Sequence, residues 1–153
     1  MQQKRLHIDI SIPQQELKLR TGRKIIRRYP ISTSRFGTGA GPGSFRTPLG
    51  EFRVSDKIGA GASADTIFVG RSPLKSGDPL PATDDLIMAR ILWLDGLEAA
   101  NANTRDRYIY IHGTRHEDKI GAPASHGCIR MRNADVIELF DLVPENTTVT
   151  ITA

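Results

Sequence analysis

Residues 107–114 read RYIYIHGT, and the alternation inside them decides the fold. Successive side chains of an extended chain point to opposite faces, so Ile109 and Ile111 share an apolar face while Tyr108, Tyr110 and His112 share the other. Such a strand is buried on one side and carries polar aromatic groups on the other. Gly113 then breaks it, which leaves His112 at a rim that a returning loop can reach. The same period of two recurs near the start in LHIDISI, where Leu6, Ile8, Ile10 and Ile12 alternate with polar partners. ELKLR (16–20) and KIIRRYPI (24–31) follow, with Thr21-Gly22 as a turn between them, and together the three pieces predict a β-meander.

Further strands are expected at GEFRV (50–54), TIFVG (66–70), RILWL (90–94) and TVTIT (148–152), all rich in β-branched or aromatic residues and bounded by Gly, Pro, Asp or Asn. One helix stands out, NADVIELFDLV (133–143). Asn133 suits its cap and Asp135 the positive end of its dipole; Val136, Ile137, Phe140 and Val143 fall on one face, and Pro144 stops it. Between 55 and 89 the chain is rich in Gly, Ser, Pro and Asp with only a short apolar run, which predicts a long loop and makes it a candidate lid. The fold class is therefore mostly β with one late helix, in a single domain spanning 1–153.

The composition is that of an ordinary globular protein: 153 residues, 39% hydrophobic and 25% charged, enough for one packed core. A single cysteine excludes an intrachain disulfide. No uncharged run exceeds ten residues, too short to span a bilayer, and no apolar targeting stretch opens the chain. The cytoplasm is expected if Met1 is the native start, the periplasm if a leader was removed. The net charge of +4 gathers toward the start, where Lys4, Arg5, Lys18, Arg20, Arg23, Lys24, Arg27 and Arg28 face only Asp9 and Glu16. With Tyr29 alone nearby as an aromatic platform, this looks like the solvent face of a sheet and not a nucleic-acid surface.

The chemistry-bearing residues lie beyond the His112 strand. The segment TRHEDKIGAPASHGC (114–128) contains glycines and Pro123 and can fold back on the strand end, bringing Cys128 toward His112. A thiol becomes a nucleophile when an imidazole takes its proton or a positive field lowers its pKa, and His112, His126 and Arg130 all qualify. The N–H groups of Gly127 and Cys128 are candidate oxyanion donors. Two other readings stand beside this one. His112, His116, His126 and Cys128 are all zinc-compatible, although Gly113 after a strand argues against a helical His-x-x-x-His pair. A free cysteine is also commonly a buried core residue. Trp93 is expected in the core or beneath the site, His7 in a structural role, and His116 in solvent. FGTGAGPG (36–43) lacks the Gly-Lys-Ser/Thr of a phosphate loop and is expected to form a flexible cleft wall.

The set IHGT, IG-x-P-x-SHGCIRM, a helix with Asp135 and Leu139, and a closing TTVTI resembles the L,D-transpeptidase catalytic domain, also called the YkuD domain; YPIST and TPLGEF (47–52) extend the likeness from about Tyr29 to Ile151. The resemblance implies a YkuD-like β-sandwich or mixed sheet, Cys128 as nucleophile and His112 as proton donor and acceptor. It also implies that the Gly113 carbonyl orients His112, that Gly127 N–H helps hold the oxyanion, and that Arg130, Ser125, His126 and Tyr110 lie at the substrate, with neither metal nor cofactor. The implied partners are peptidoglycan stem peptides or muropeptides, cut at the L,D bond before the terminal D-alanine through a thioester. With no leader or anchor evident, an L,D-carboxypeptidase acting on soluble muropeptides is the first expectation. A crosslinking or D-amino-acid-exchanging transpeptidase is the second, and a non-catalytic muropeptide-binding protein the third.

Overall fold

The computed structural model describes residues 5–83 and 85–153. Their regular structure comprises β1 (Leu6–Ser11), β2 (Glu16–Thr21), β3 (Lys24–Ser32), β4 (Gly50–Ile58), β5 (Ile67–Val69), β6 (Ser72–Pro73), β7 (Ile87–Gly96), β8 (Tyr110–Gly113), β9 (Ile129–Met131), α1 (Asn133–Leu142) and β10 (Thr148–Thr152), with short 3-10 turns at Ala99–Asn101 and Glu117–Lys119. The meander is present: β1, β2 and β3 are antiparallel neighbours, and Gly22 takes a positive φ of 55° in the turn that brings Thr21 opposite Lys24.

The strands pair in the order β4-β10-β1-β2-β3-β9-β8-β7-β5-β6, and β4 pairs again with β7. Eight strands thereby close into a barrel-like ring, and β5 and β6 remain as a hairpin appended to β7. Of the sandwich or mixed sheet expected, the mixed sheet is what forms, since β1 with β10 and β8 with β9 are parallel while the other pairs are antiparallel. Closure removes the open strand edges that invite association.

Inside the ring, alternate residues such as Ile8, Leu17, Phe52, Leu92, Ile111 and Ile129 are fully buried in one cluster. Each contributes about 1.5–3 kcal/mol of apolar burial. Helix α1 packs on β7 and β8 through Val136, Leu139 and Phe140. Leu139 takes the place expected of Ile137, which is only partly buried, because a 136-139-140-143 stripe follows the helical period more closely. Asn133 does not cap the helix. Arg132 is the N-cap, Asn133 Oδ1 is spent accepting from Thr114 N at 2.8 Å, and Glu117 Oε2 accepts the N–H of Asn133 at 3.0 Å.

β7 is buried on both faces. Leu92 and Leu94 enter the main core, while Ile91 and Trp93 join Phe68 and Tyr110 in a second cluster against which Cys128 packs. This outer cluster exists because residues 55–89 are not the long loop expected. Residues 55–58 complete β4, the β5–β6 hairpin pairs with Ile87 and Met88, and β7 starts at Ile87. The short apolar run at 67–69 is thus an anchored strand, and among the described residues 59–66, 74–83 and 85–86 connect the elements. The strand expected at 107–112 likewise starts later, at Tyr110, because Tyr108 has a φ of +56° and turns the chain.

Candidate active site

The site grows from two short parallel strands. His112 of β8 lies opposite Arg130 of β9, one step after Ile111 opposite Ile129. Ile111 and Ile129 point into the core, so His112 and Arg130 share the outer face. Two residues earlier on each strand, the same parity brings Tyr110 and Cys128 together. Tyr110 N donates to Cys128 Sγ at 3.3 Å, and Sγ–H donates to the Tyr108 carbonyl at 3.4 Å. The αL turn at Tyr108 aims that carbonyl at the sulfur.

The turn before β9 is tightly built. Ser125 Oγ donates to the Cys128 carbonyl at 2.6 Å and accepts from Gly127 N at 3.2 Å. The Gly127 N–H expected to face an oxyanion is therefore engaged within the turn at rest. Gly127 has a φ of +120°, and a Cβ there would press on the Arg46 carbonyl at 3.3 Å, so any other residue is strained at this position. Residues flanking FGTGAGPG hold this turn: Ser34 bridges Ser125, Arg35 N donates to the Ser125 carbonyl, and Thr47 Oγ1 donates to the Gly127 carbonyl at 3.0 Å.

His112 is fully buried. Its Nδ1 lies 2.5 Å from the Gly113 carbonyl, which can only accept, so Nδ1 carries the proton and Nε2 presents its lone pair. Nε2 has no hydrogen-bond partner among the described residues. Gly113 itself cannot be larger, since a Cβ would strike Asn133 Oδ1 and come within 2.7 Å of the Met88 carbonyl. Burial lowers the His112 pKa, opposed by Asp85 and the Gly113 bond. Burial pushes the Cys128 thiol up to about 12, with Asp85 adding to the rise and the Tyr110 N–H, Arg130 and Arg107 opposing it. Both shifts disfavour the charged forms of the thiol and the imidazole.

Asp85 is the residue that sequence reasoning missed. It comes from the segment just before β7, and its Oδ1 accepts from Arg130 Nε at 2.8 Å and lies 3.9 Å from His112 Nε2. Its Oδ2 lies 4.0 Å from His126 Nδ1. Burial works against its ionisation, but His112, Arg130 and His126 prevail and hold the carboxyl below its usual range. Arg130 is almost fully buried and committed to this carboxylate. His126 accepts from Arg35 at 2.9 Å through Nε2, which leaves the Nδ1 proton directed at Asp85, and its ring packs between Phe36 and Phe45.

Trp93 packs on Tyr110, edge to face at 5.5 Å, and donates through Nε1 to the Arg105 carbonyl. Arg71 was also missed. It sits at the turn between β5 and β6 with a φ of +68°, its guanidinium lies over both Trp93 and Tyr108, and it donates to the Tyr110 hydroxyl at 3.3 Å. Strain of that kind in a non-glycine residue costs on the order of 1–3 kcal/mol and tends to accompany function. The only signal for either residue was indirect: a charge beside a strand whose apolar run implied burial on both faces.

The four zinc-compatible residues are not gathered into one set, and among the described residues no group of three or more His, Cys, Asp or Glu is placed to hold a metal ion. His116 begins the second 3-10 turn, and its N–H is taken by Thr114 Oγ1. His7 hydrogen-bonds Thr148 and Thr150 across the β1–β10 pair.

A family model for the L,D-transpeptidase catalytic domain, YkuD, matches residues 5–151. YkuD of Bacillus subtilis strain 168, itself assigned as an L,D-transpeptidase, is 32% identical over 145 residues, which are 95% of this chain and 65% of that protein. YkuD of Bacillus licheniformis is 30% identical over 145 residues, covering 95% of this chain and 64% of that protein. This chain thus spans just under two thirds of their length. Among solved structures, an L,D-transpeptidase of Xylanimonas cellulosilytica matches with a TM-score of 0.64 at 19% identity, covering 99% of this chain and 62% of the other. One from Mycobacterium smegmatis matches at 0.61 and 17% identity, covering 97% and 58%. At these identities the structural likeness establishes the fold.

Proposed function

This chain belongs to the L,D-transpeptidase catalytic domain family, and from that premise we propose that it transfers the acyl group of a peptidoglycan stem peptide through a thioester on Cys128. The observation that carries the reading is the pairing of β8 with β9, which sets His112 with a free Nε2 lone pair on the same face as a partly exposed thiol. Because burial disfavours the thiolate, the thiol proton leaves as the sulfur attacks. Sγ bonds to the carbonyl carbon of the third stem residue while His112 Nε2 accepts the proton. The bond to the terminal D-alanine then breaks, and Nε2–H protonates the departing amine. Gly127 and Cys128 N–H groups hold the oxyanion once the substrate draws Gly127 N away from Ser125. Ser125 and His126 shape this turn, and Arg130 supports it through Asp85. Tyr110 borders the acceptor side together with Arg71, a cation suited to a substrate carboxylate.

In the second half-reaction an acceptor amine attacks the thioester, gives its proton to His112 and restores the thiol. The family's transpeptidase members make the amine the leading acceptor; water in its place would give an L,D-carboxypeptidase acting on muropeptides. Mass spectrometry of a disaccharide tetrapeptide incubated with the protein and excess D-methionine tests both. An exchanged product supports transpeptidation, a tripeptide supports hydrolysis, and unchanged substrate overturns the catalytic reading in favour of a muropeptide-binding protein.

A further inference from the structure

The mechanism leaves one charge unaccounted for. When His112 takes the thiol proton it becomes a cation inside a site where it has no solvent contact. A buried unpaired cation is strongly disfavoured. The charged side chains that act on it are Asp85 from the segment before β7 and Arg130 from β9; β7 sets the uncharged Ile91 opposite it, and Asn133 of α1 lies against Gly113. Arg130 opposes the new charge, and the matching negative charge passes to the oxyanion held at Gly127 and Cys128. Of the charged side chains that act on His112, Asp85 is the anion, its Oδ1 3.9 Å from the nitrogen that receives the proton.

We propose that Asp85 is a positioning residue whose carboxylate, fixed by Arg130, stabilises the imidazolium of His112 during both proton transfers. The inference rests on the assignment of Cys128 and His112 as the reacting pair. Three features of the geometry support it. Asp85 is nearly buried, its side chain only 12% exposed, so its field is little screened. Its Oδ1 is anchored at 2.8 Å by a guanidinium that is itself buried and in register with His112. Its Oδ2 lies 4.0 Å from His126 Nδ1, which sets the carboxylate beside the turn that carries the nucleophile. Arg130 thus serves the base through an intermediary, which explains why an arginine two residues after the nucleophile is turned inward.

Asp85→Asn keeps an oxygen for Arg130 and removes the charge. Two measurements on the full chain test the idea, neither needing a stem peptide. The first is the titration of His112 by NMR with ¹³C-labelled histidine, which follows the base directly. The second is the rate of Cys128 acylation by imipenem, read by mass spectrometry. The expected result is that His112 titrates at lower pH in Asp85→Asn than in the wild type, and that acylation slows about 10- to 100-fold at neutral pH. Asp85→Glu should restore part of both. An unmoved His112 titration overturns the proposal and makes Asp85 a purely structural partner of Arg130. Faster acylation also overturns it, since Asp85 would then be an inhibitory plug. Wild-type protein that imipenem fails to acylate would count against the proposed function, whereas the NMR titration would still decide the role of Asp85.

Discussion

The two walls of the site are built by different means. The Cys128 turn is bound to its surroundings through backbone and hydroxyl groups: Ser125 closes it, Thr47 grips the Gly127 carbonyl, and the Thr33 carbonyl accepts from Ala124 and Ser125 N. The opposite wall, made by the hairpin and the segment before β7, reaches the site through charged side chains, Arg71 onto Tyr110 and Asp85 onto Arg130. Under the proposed function, backbone fixes the atoms that would make and break bonds, and side-chain charge from the other wall would adjust their electrostatics. Changes on the first wall should therefore stop the reaction or unseat the turn, while changes on the second should tune it.

The largest effect expected is that of Cys128→Ala, which should lower turnover by about 10⁴-fold or more while leaving the thermal transition near the wild type. Survival of near wild-type turnover would break the comparison, because the bond-making atom would lie elsewhere. Gly127→Ala should come next. Its φ of +120° and the nearby Arg46 carbonyl predict a loss of about 2 kcal/mol in denaturant unfolding, with activity falling in step. Arg71→Ala, on the adjustable wall, should raise KM about fivefold with kcat within about twofold, as loss of one charge-assisted contact implies. An equal fall in kcat would show that the hairpin takes part in the chemical step.

Two smaller effects depend on pH. With the thiol pushed up to about 12, iodoacetamide at pH 8 should alkylate Cys128 about tenfold or more slowly than free cysteine. For His112, burial lowers the folded pKa, so below the unfolded value of about 6.5 the unfolded chain binds more protons. His112 should therefore lower the stability of the wild type progressively as pH falls from about 6.5, and His112→Gln should lose much of that slope in thermal melts. A slope that persists unchanged would assign the acid sensitivity to carboxylates such as Asp85, which also lose their stabilising charge as pH falls.

How much of this could be read from the chain follows from the same contrast. The strand end at His112 and the glycine-bounded turn at Cys128 were legible as local patterns, their roles as base and nucleophile were implied by the family resemblance alone, and the parallel register sets the two segments side by side. Asp85 was not, because an aspartate in PATDDL has the composition of any loop, and only the start of β7 at Ile87 turns it inward. The hairpin escaped because a three-residue strand gains its stability from β7 and not from its own sequence. Asn133 misled for a related reason: its side chain is a good cap in isolation, but Thr114 N competes for it and Glu117 satisfies the helix end.

The last strand has a consequence for how the molecule comes into being. β10 inserts between β1 and β4, so that His7 pairs with Thr148 across almost the full chain. Contacts of such separation are costly to close and slow folding. On the ribosome, the meander of β1 to β3 and the nucleophile turn emerge before the ring can shut, and both flanking edges wait for residues 148–152. Until those five residues are released, the nascent chain carries Cys128 on an open sheet with two unpaired edges, a state prone to association. The final strand is thus the clasp that separates a sticky intermediate from the closed protein.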